Sequence, residues 1–200
     1  MVRDAADTRR KLLDAARDEF ARHGSAGARV DRIAAAAGVN KERIYGHFGS
    51  KDELFAAALA DSMHDITDAL ESGTDRDLGD YVAQKLAFHA EHPDTARLVL
   101  WETLERADEP IVAEEERRAI YARKVTAFAE MLGVDEQDAR YAVLVGLALG
   151  TLERVFPHLV TMIAGDEDGV VDRPELRARL SAAAARAFTP AARAAADPRP

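Results

Sequence analysis

Lys41, Arg43, Tyr45 and His47 crowd into one short stretch, Asn40 to Phe48. Their ammonium, guanidinium, phenol and imidazole groups all donate hydrogen bonds to phosphate oxygens or to base edges. Arg43 is the candidate base reader, because a guanidinium binds the N7 and O6 acceptors of guanine bidentately. A phosphate clamp, or a surface salt bridge with Glu42 or Asp31, is the competing reading. Lys41 suits base or phosphate equally. Asn40 is first an N-cap and only second a base contact. Tyr45 reads as a half-buried packing residue with an exposed hydroxyl, a DNA contact, or both. His47 reads as a DNA contact or an ordinary exposed histidine. Lys51 falls in the first turn of the next helix, where backbone amides also favour an anion. Arg29 opens the short helix that precedes the Asn40 to Phe48 stretch.

Other chemistries find no support. There are no cysteines, which excludes disulfides, thiolate metal sites and Cys nucleophiles. No phosphate loop, nucleophile elbow or His-Glu-x-x-His occurs. His89 and His92 are three apart, with His64 as a possible third, but no carboxylate constellation accompanies them, so they read as solvated histidines. No enzyme and no cofactor is expected.

The elements that must position these groups are almost all helical: Ala, Leu, Arg and Glu dominate and no strand-like alternation appears. Leu12, Ala16 and Phe20 form one apolar stripe on a helix from about 7 to 23, which Gly24 ends. A short helix from about 29 to 37 buries Ile33 and Ala34. The turn Ala37-Gly38-Val39-Asn40 is short and contains a glycine, as a helix-turn-helix requires, and Val39 plugs the core with Ile33 and Ile44. The reading helix is 41 to 48. Phe48, Ile33, Val39, Ile44, Leu12 and Phe20 are core. Ser50-Lys51-Asp52-Glu53 is a capping box for a longer helix, 51 to 71. Further helices are predicted at 80–91, 93–106, 109–132, from 135 until Pro157 kinks or ends it, and 174–188, about nine in total. The fold class is all-α: a three-helix N-terminal helix-turn-helix domain, 1–50, then a larger helical domain, 51–188. An Ala-, Arg- and Pro-rich tail, 189–200, is expected to be disordered.

Charge agrees with a local role for the front. Net charge is −9, yet residues 1–51 carry 11 Lys+Arg against 7 Asp+Glu, and the remainder 16 against 29. A basic front on an acidic body binds phosphate locally while limiting indiscriminate binding. No apolar run reaches the ~20 residues of a membrane span. The chain opens Met1-Val2-Arg3-Asp4, without an apolar signal core. A cytoplasmic protein that does not use a membrane is expected.

The segment Arg32 to Phe55 resembles the TetR family of bacterial repressors. The family pattern appears as Ile33-Ala34, Ala37-Gly38-Val39, Asn40, Ile44-Tyr45, Phe48 and Lys51-Asp52-Glu53-Leu54. Leu12-Leu13-Asp14-Ala15-Ala16, Phe20 and His23-Gly24 fit upstream, so the match covers about Thr8 to Phe55. Three positions depart from it. Ser25 stands where an aromatic is usual, Ala28 where a Thr caps the second helix, and Gly46 where an aromatic or His is common. Glycine inside a helix costs ~1 kcal/mol relative to Ala.

The resemblance implies a repressor that binds a near-palindromic double-stranded DNA operator as a homodimer and is released by a small-molecule effector. It also implies that Tyr45 and His47 contact the DNA backbone, that Lys51 binds phosphate and that Arg29 replaces the missing Thr contact. A helical small-molecule binding or enzymatic domain without sequence-specific DNA binding is the competing function. Met63, Phe88, Trp101, Leu104, Tyr121, Phe128 and Phe156 are candidates to surround an apolar cavity, or they pack as core. His64, His89, Arg97 and Glu102 are candidates to orient a ligand. The candidate ligand set is therefore Met63, His64, Phe88, Arg97, Trp101, Glu102, Tyr121 and Phe128. Ala142, Val145, Gly146, Leu149 and Gly150, with Leu176, Leu180, Ala183 and Ala184, are expected at the dimer interface, unless the helix from Asp135 is the centre of each monomer's own core.

Overall fold

The computed structural model describes residues 2–71, 77–166 and 168–188. The expected disordered tail, 189–200, lies outside the described residues. Among them there are ten helices and no strand: α1 (Val2–Gly27), α2 (Val30–Ala37), α3 (Lys41–Phe48), α4 (Lys51–Glu71), α5 (Leu78–Glu91), α6 (Pro93–Glu105), α7 (Glu114–Leu132), α8 (Glu136–Val155), α9 (Pro157–Ala164) and α10 (Arg173–Ala187). The chain packs as two compact units, residues 1–67 with 92–114, and residues 68–91 with 115–200.

In the first unit α1, α2, α3 and the start of α4 close over Leu12, Phe20, Ile33, Ile44, Phe48 and Phe55, with Val39 partly buried against them. Phe20 and Phe55 meet edge to face at 5.2 Å. Each fully buried side chain of this size contributes about 1.5–3 kcal/mol. Local signals set the helix limits. Gly38 ends α2 in the left-handed conformation (φ 70), which glycine adopts without a Cβ penalty. The Asn40 Oδ1 accepts from the Arg43 amide at 3.3 Å and starts α3. The Ser50 hydroxyl accepts from the Glu53 amide at 3.0 Å and starts α4. Gly24 interrupts α1 at φ 69, ψ 178, and one further turn follows.

α6 belongs to this same unit. It packs on α1, and the Ala21 carbonyl accepts from both Arg97 Nε (2.7 Å) and Trp101 Nε1 (3.2 Å). The unit that holds the reading helix is therefore larger than the N-terminal run of helices.

In the second unit α5 is the central helix, with α8 and α10 packed on it. Small residues permit the approach. A Cβ on Gly146 would lie 2.7 Å from the Tyr81 ring, and one on Gly150 would lie 2.5 Å from Lys85 Cβ. The edge of Tyr81 meets Phe128 at 5.0 Å. Arg154 from α8 donates to the His89 and Ala90 carbonyls at 2.8 and 3.2 Å, satisfying the last turn of α5.

Three expectations are corrected here. Ala142, Gly146, Gly150 and Ala184 are buried within the chain, so they are not interface. The small stripe of α8 serves α5, while the opposite face of α8 exposes Tyr141 and Leu144 (56% and 61%). The helix expected from 109 starts at Glu114. Pro110 precedes a turn in which Ala113 takes φ 51 and the Glu102 carboxylate accepts from the Val112 amide at 3.0 Å. Pro157 ends α8 and also begins an unexpected helix, α9, bent by 91° from it. Proline at N1 has no amide to leave unsatisfied, which favours that restart. No single helix among the described residues is long and apolar enough to cross a membrane.

Candidate nucleic-acid interface

α3 presents two faces. Ile44 and Phe48 point into the core, while Lys41, Glu42, Arg43, Tyr45 and Gly46 are exposed and His47 is half-buried. A helix of this length with only two buried positions gains little from packing, so its stability rests on the Asn40 cap and on the turns at Gly38 and Gly49.

Among the described residues the Arg43 guanidinium has no protein partner, and with Asn40, Glu42, Gly46 and His47 it borders a shallow depression. Lys41 is held by Asp31 at 3.0 Å. The hydrogen bond and charge of that carboxylate keep its ammonium above the ordinary lysine value. Tyr45 is 45% exposed, and the His47 ring tilts against Phe48 at 6.1 Å. Arg9, which the sequence did not single out, lies over the Phe48 ring at 5.4 Å. A cation–π contact is invisible to motif spacing because it joins helices distant in the chain.

Two further candidate residues are tied into the fold, Arg29 by its backbone amide and Lys51 by its ammonium. Arg29 is the N-cap residue of α2 without a capping side chain. Its amide donates to Glu19 Oε1 at 2.9 Å, and Arg32 Nε donates to the same oxygen at 2.8 Å. Burial pushes the Glu19 carboxyl up, but the hydrogen bonds from Arg32 and the Arg29 amide outweigh it and hold the group below the ordinary value. Glu19 thus fixes the start of α2 where Ala28 offers no cap. Lys51 Nζ donates to the Ser25 carbonyl at 2.8 Å, while the Ser25 amide donates to Glu105 Oε2 at 2.6 Å. Ser25 therefore links α4 and α6 to the kinked end of α1. Glu19 and Glu105 are positioning residues that spacing alone did not reveal.

The candidate ligand residues do not converge on one feature. Met63 packs partly buried against the first unit's core, and His64 is exposed. Arg97 and Trp101 donate to Ala21, and Glu102 accepts from Val112. In the second unit Phe88 and Phe128 are buried. Tyr121 lines an open groove of ≈ 450 Å³ with Arg118, Val125, Glu136 and Arg140. Leu104 and Phe156 are exposed (71% and 53%).

Comparison with known proteins bears on the family and the fold. Residues 12–58 match the model of the bacterial regulatory proteins, tetR family, and residues 77–186 match the tetracyclin repressor-like C-terminal domain. The HTH-type transcriptional repressor SCO4008 of Streptomyces coelicolor is 37% identical over 175 residues, covering 86% of this chain and 91% of that protein. The crystal structure of the transcriptional regulator SCO4942, also from Streptomyces coelicolor, superposes with a TM-score of 0.76 at 30% identity, covering 96% of this chain and 99% of that one. AcrR of Shigella flexneri is 32% identical over 117 residues, 58% of this chain and 47% of AcrR.

Proposed function

The chain belongs to the TetR family of bacterial regulatory proteins, and from that premise we propose how this helix-turn-helix transcriptional regulator, which is not an enzyme, reads its DNA. α3 enters the major groove, Arg43 reads a base, and Lys41 contacts base or phosphate. Tyr45, His47, Arg29 and Lys51 hold the DNA backbone, with Asn40 capping the helix. The observation that carries this reading is the division of α3: Ile44 and Phe48 are consumed by the core, while Arg43 projects from the exposed face with no protein partner among the described residues.

The protein is a repressor that acts in the cytoplasm as a homodimer on a near-palindromic operator. Dimerisation is supported by exposed apolar side chains on the second unit, where Tyr141, Leu144, Met162 and Ile163 are each more than half exposed. Residues 1–50, with Lys51 beside them, supply DNA recognition, and the rest of residues 51–188 supplies dimerisation and effector binding. A small-molecule effector taken up beside Tyr121 releases the operator by its differential affinity for the two states.

Selection of bound sequences from random double-stranded DNA tests this. The expected outcome is two related half-sites about 10–10.5 bp apart, or a multiple of that spacing. Enrichment of no sequence would sink the reading of α3, and enrichment of a single unrepeated half-site would sink the dimer.

A further inference from the structure

Gly46 sits in the middle of α3, at a position that calls for no glycine. It is not among the residues with positive φ, and a Cβ built on it meets nothing within 4 Å. Glycine is the poorest helix former after proline, and α3 buries only two side chains. The fold would therefore be better served by alanine. Where glycine is required inside this protein its reason is visible: Gly146 and Gly150 face Tyr81 and Lys85 at under 3 Å, and Gly38 has a positive φ. Gly46 has neither reason, and it is exposed.

We infer that the missing side chain serves the DNA, and that Gly46 is a specificity-determining residue that admits a thymine 5-methyl group to the surface of the reading helix. This rests on the proposal that α3 enters the major groove. Gly46 borders the depression that Asn40, Glu42, Arg43 and His47 also line. Those four bring polar or charged side chains, whereas Gly46 brings only its Cα, with no hydrogen-bonding side chain of its own. Among the groups that base pairs present in the major groove, the thymine methyl alone is apolar and projecting. It is the group an apolar, side-chain-free position accommodates, and a Cβ would occupy the same space. Arg43, one turn earlier on the same face, would then read a guanine near an A·T pair held by shape at Gly46.

The experiment uses the full chain and its Gly46→Ala variant. Both are put through selection from random double-stranded DNA, and affinity is then measured on the site selected by the unaltered protein, with thymine or uracil at each half-site position. For the unaltered protein, uracil at one position of a single half-site is expected to weaken binding about fourfold, the factor for leaving one methyl out of an apolar contact. Gly46→Ala is expected to melt no lower than the unaltered protein, to bind the thymine site about tenfold more weakly because the Cβ overfills the contact, and to discriminate thymine from uracil no longer. A Gly46→Ala protein that selects the same site with unchanged affinity overturns the inference and leaves the reading of α3 intact. An unaltered protein that selects no sequence overturns both.

Discussion

Each compact unit buries a cation, and the two are treated in opposite ways. In the first unit Arg17 of α1 (12% exposed) is met by Asp61 at 2.6 Å, Asp65 at 2.9 Å and Asp94 at 3.9 Å. Burial alone would lower its pKa, but the three carboxylates outweigh it and raise it. In the second unit Lys85 of α5 is 4% exposed and meets no carboxylate among the described residues. Burial, and to a lesser degree the charge of Lys124, lower its pKa to about 8. One cation is a tie between α1, α4 and α6; the other is a charge the fold carries at a cost. Arg43 forms a third class, neither buried nor paired. Which of these classes a basic residue belongs to, rather than its charge, decides whether it stabilises the fold, weakens it or stays available for DNA.

The largest expected effect would come from breaking the paired site. Arg17→Ala leaves three carboxylates facing one another and should destabilise the first unit by about 3–5 kcal/mol, measured as a fall in the denaturant midpoint with loss of operator binding. A change near zero would mean that the cluster contributes nothing to the joining of α1, α4 and α6.

Removing the unpaired charge should act in the opposite direction. Lys85→Met keeps the stem that packs on Gly150 and removes the ammonium. The interval between about 8 and the ordinary 10.5 corresponds to about 3 kcal/mol of gain at pH 7. The sign follows from proton linkage. Below pH about 8 both folded and unfolded chains hold the proton, and the cost of burying it is fully present. Between about 8 and 10.5 the unfolded chain binds more protons, so this site's stability contribution rises with pH. The advantage of Lys85→Met should shrink across that window in urea titrations, and an advantage that grows with pH would refute the assignment.

The smallest of the three effects concerns the exposed cation. Arg43→Ala should leave thermal stability unchanged and cost about 1–3 kcal/mol in operator affinity, with relaxed preference at one position per half-site. A uniform loss across all sequences would move Arg43 from base reading to phosphate binding and sharpen the contrast with Lys41, whose ammonium is already held by Asp31.

Much of this was legible in the sequence because it is local. Asn40 and Ser50 cap helices through side-chain oxygens that accept from the amides of Arg43 and Glu53, three residues on, and Ile44 and Phe48 follow a periodicity that a single helix dictates. The whole helix-turn-helix, with its family membership, follows from such short-range rules at fixed spacing. Periodicity tells that a face is buried, however, and not what it is buried against. The small stripe Ala142, Gly146 and Gly150 was legible as a close-packing surface, but its partner is α5 and not a second copy. Helix α9 went unread because Pro157 stops one helix and equally well starts another.

The sequence by itself determined the reading helix and the inventory of groups on it, since caps, turns and apolar spacing act within a few residues. The tertiary structure alone decided how each cation is engaged. It drew Lys51 to the Ser25 carbonyl, Arg97 to Ala21 and Arg17 into three carboxylates, while leaving Arg43 exposed. The partners of the first three lie 26 to 77 positions away, and at that separation only the packed fold can bring a charge and its counterpart within hydrogen-bond reach.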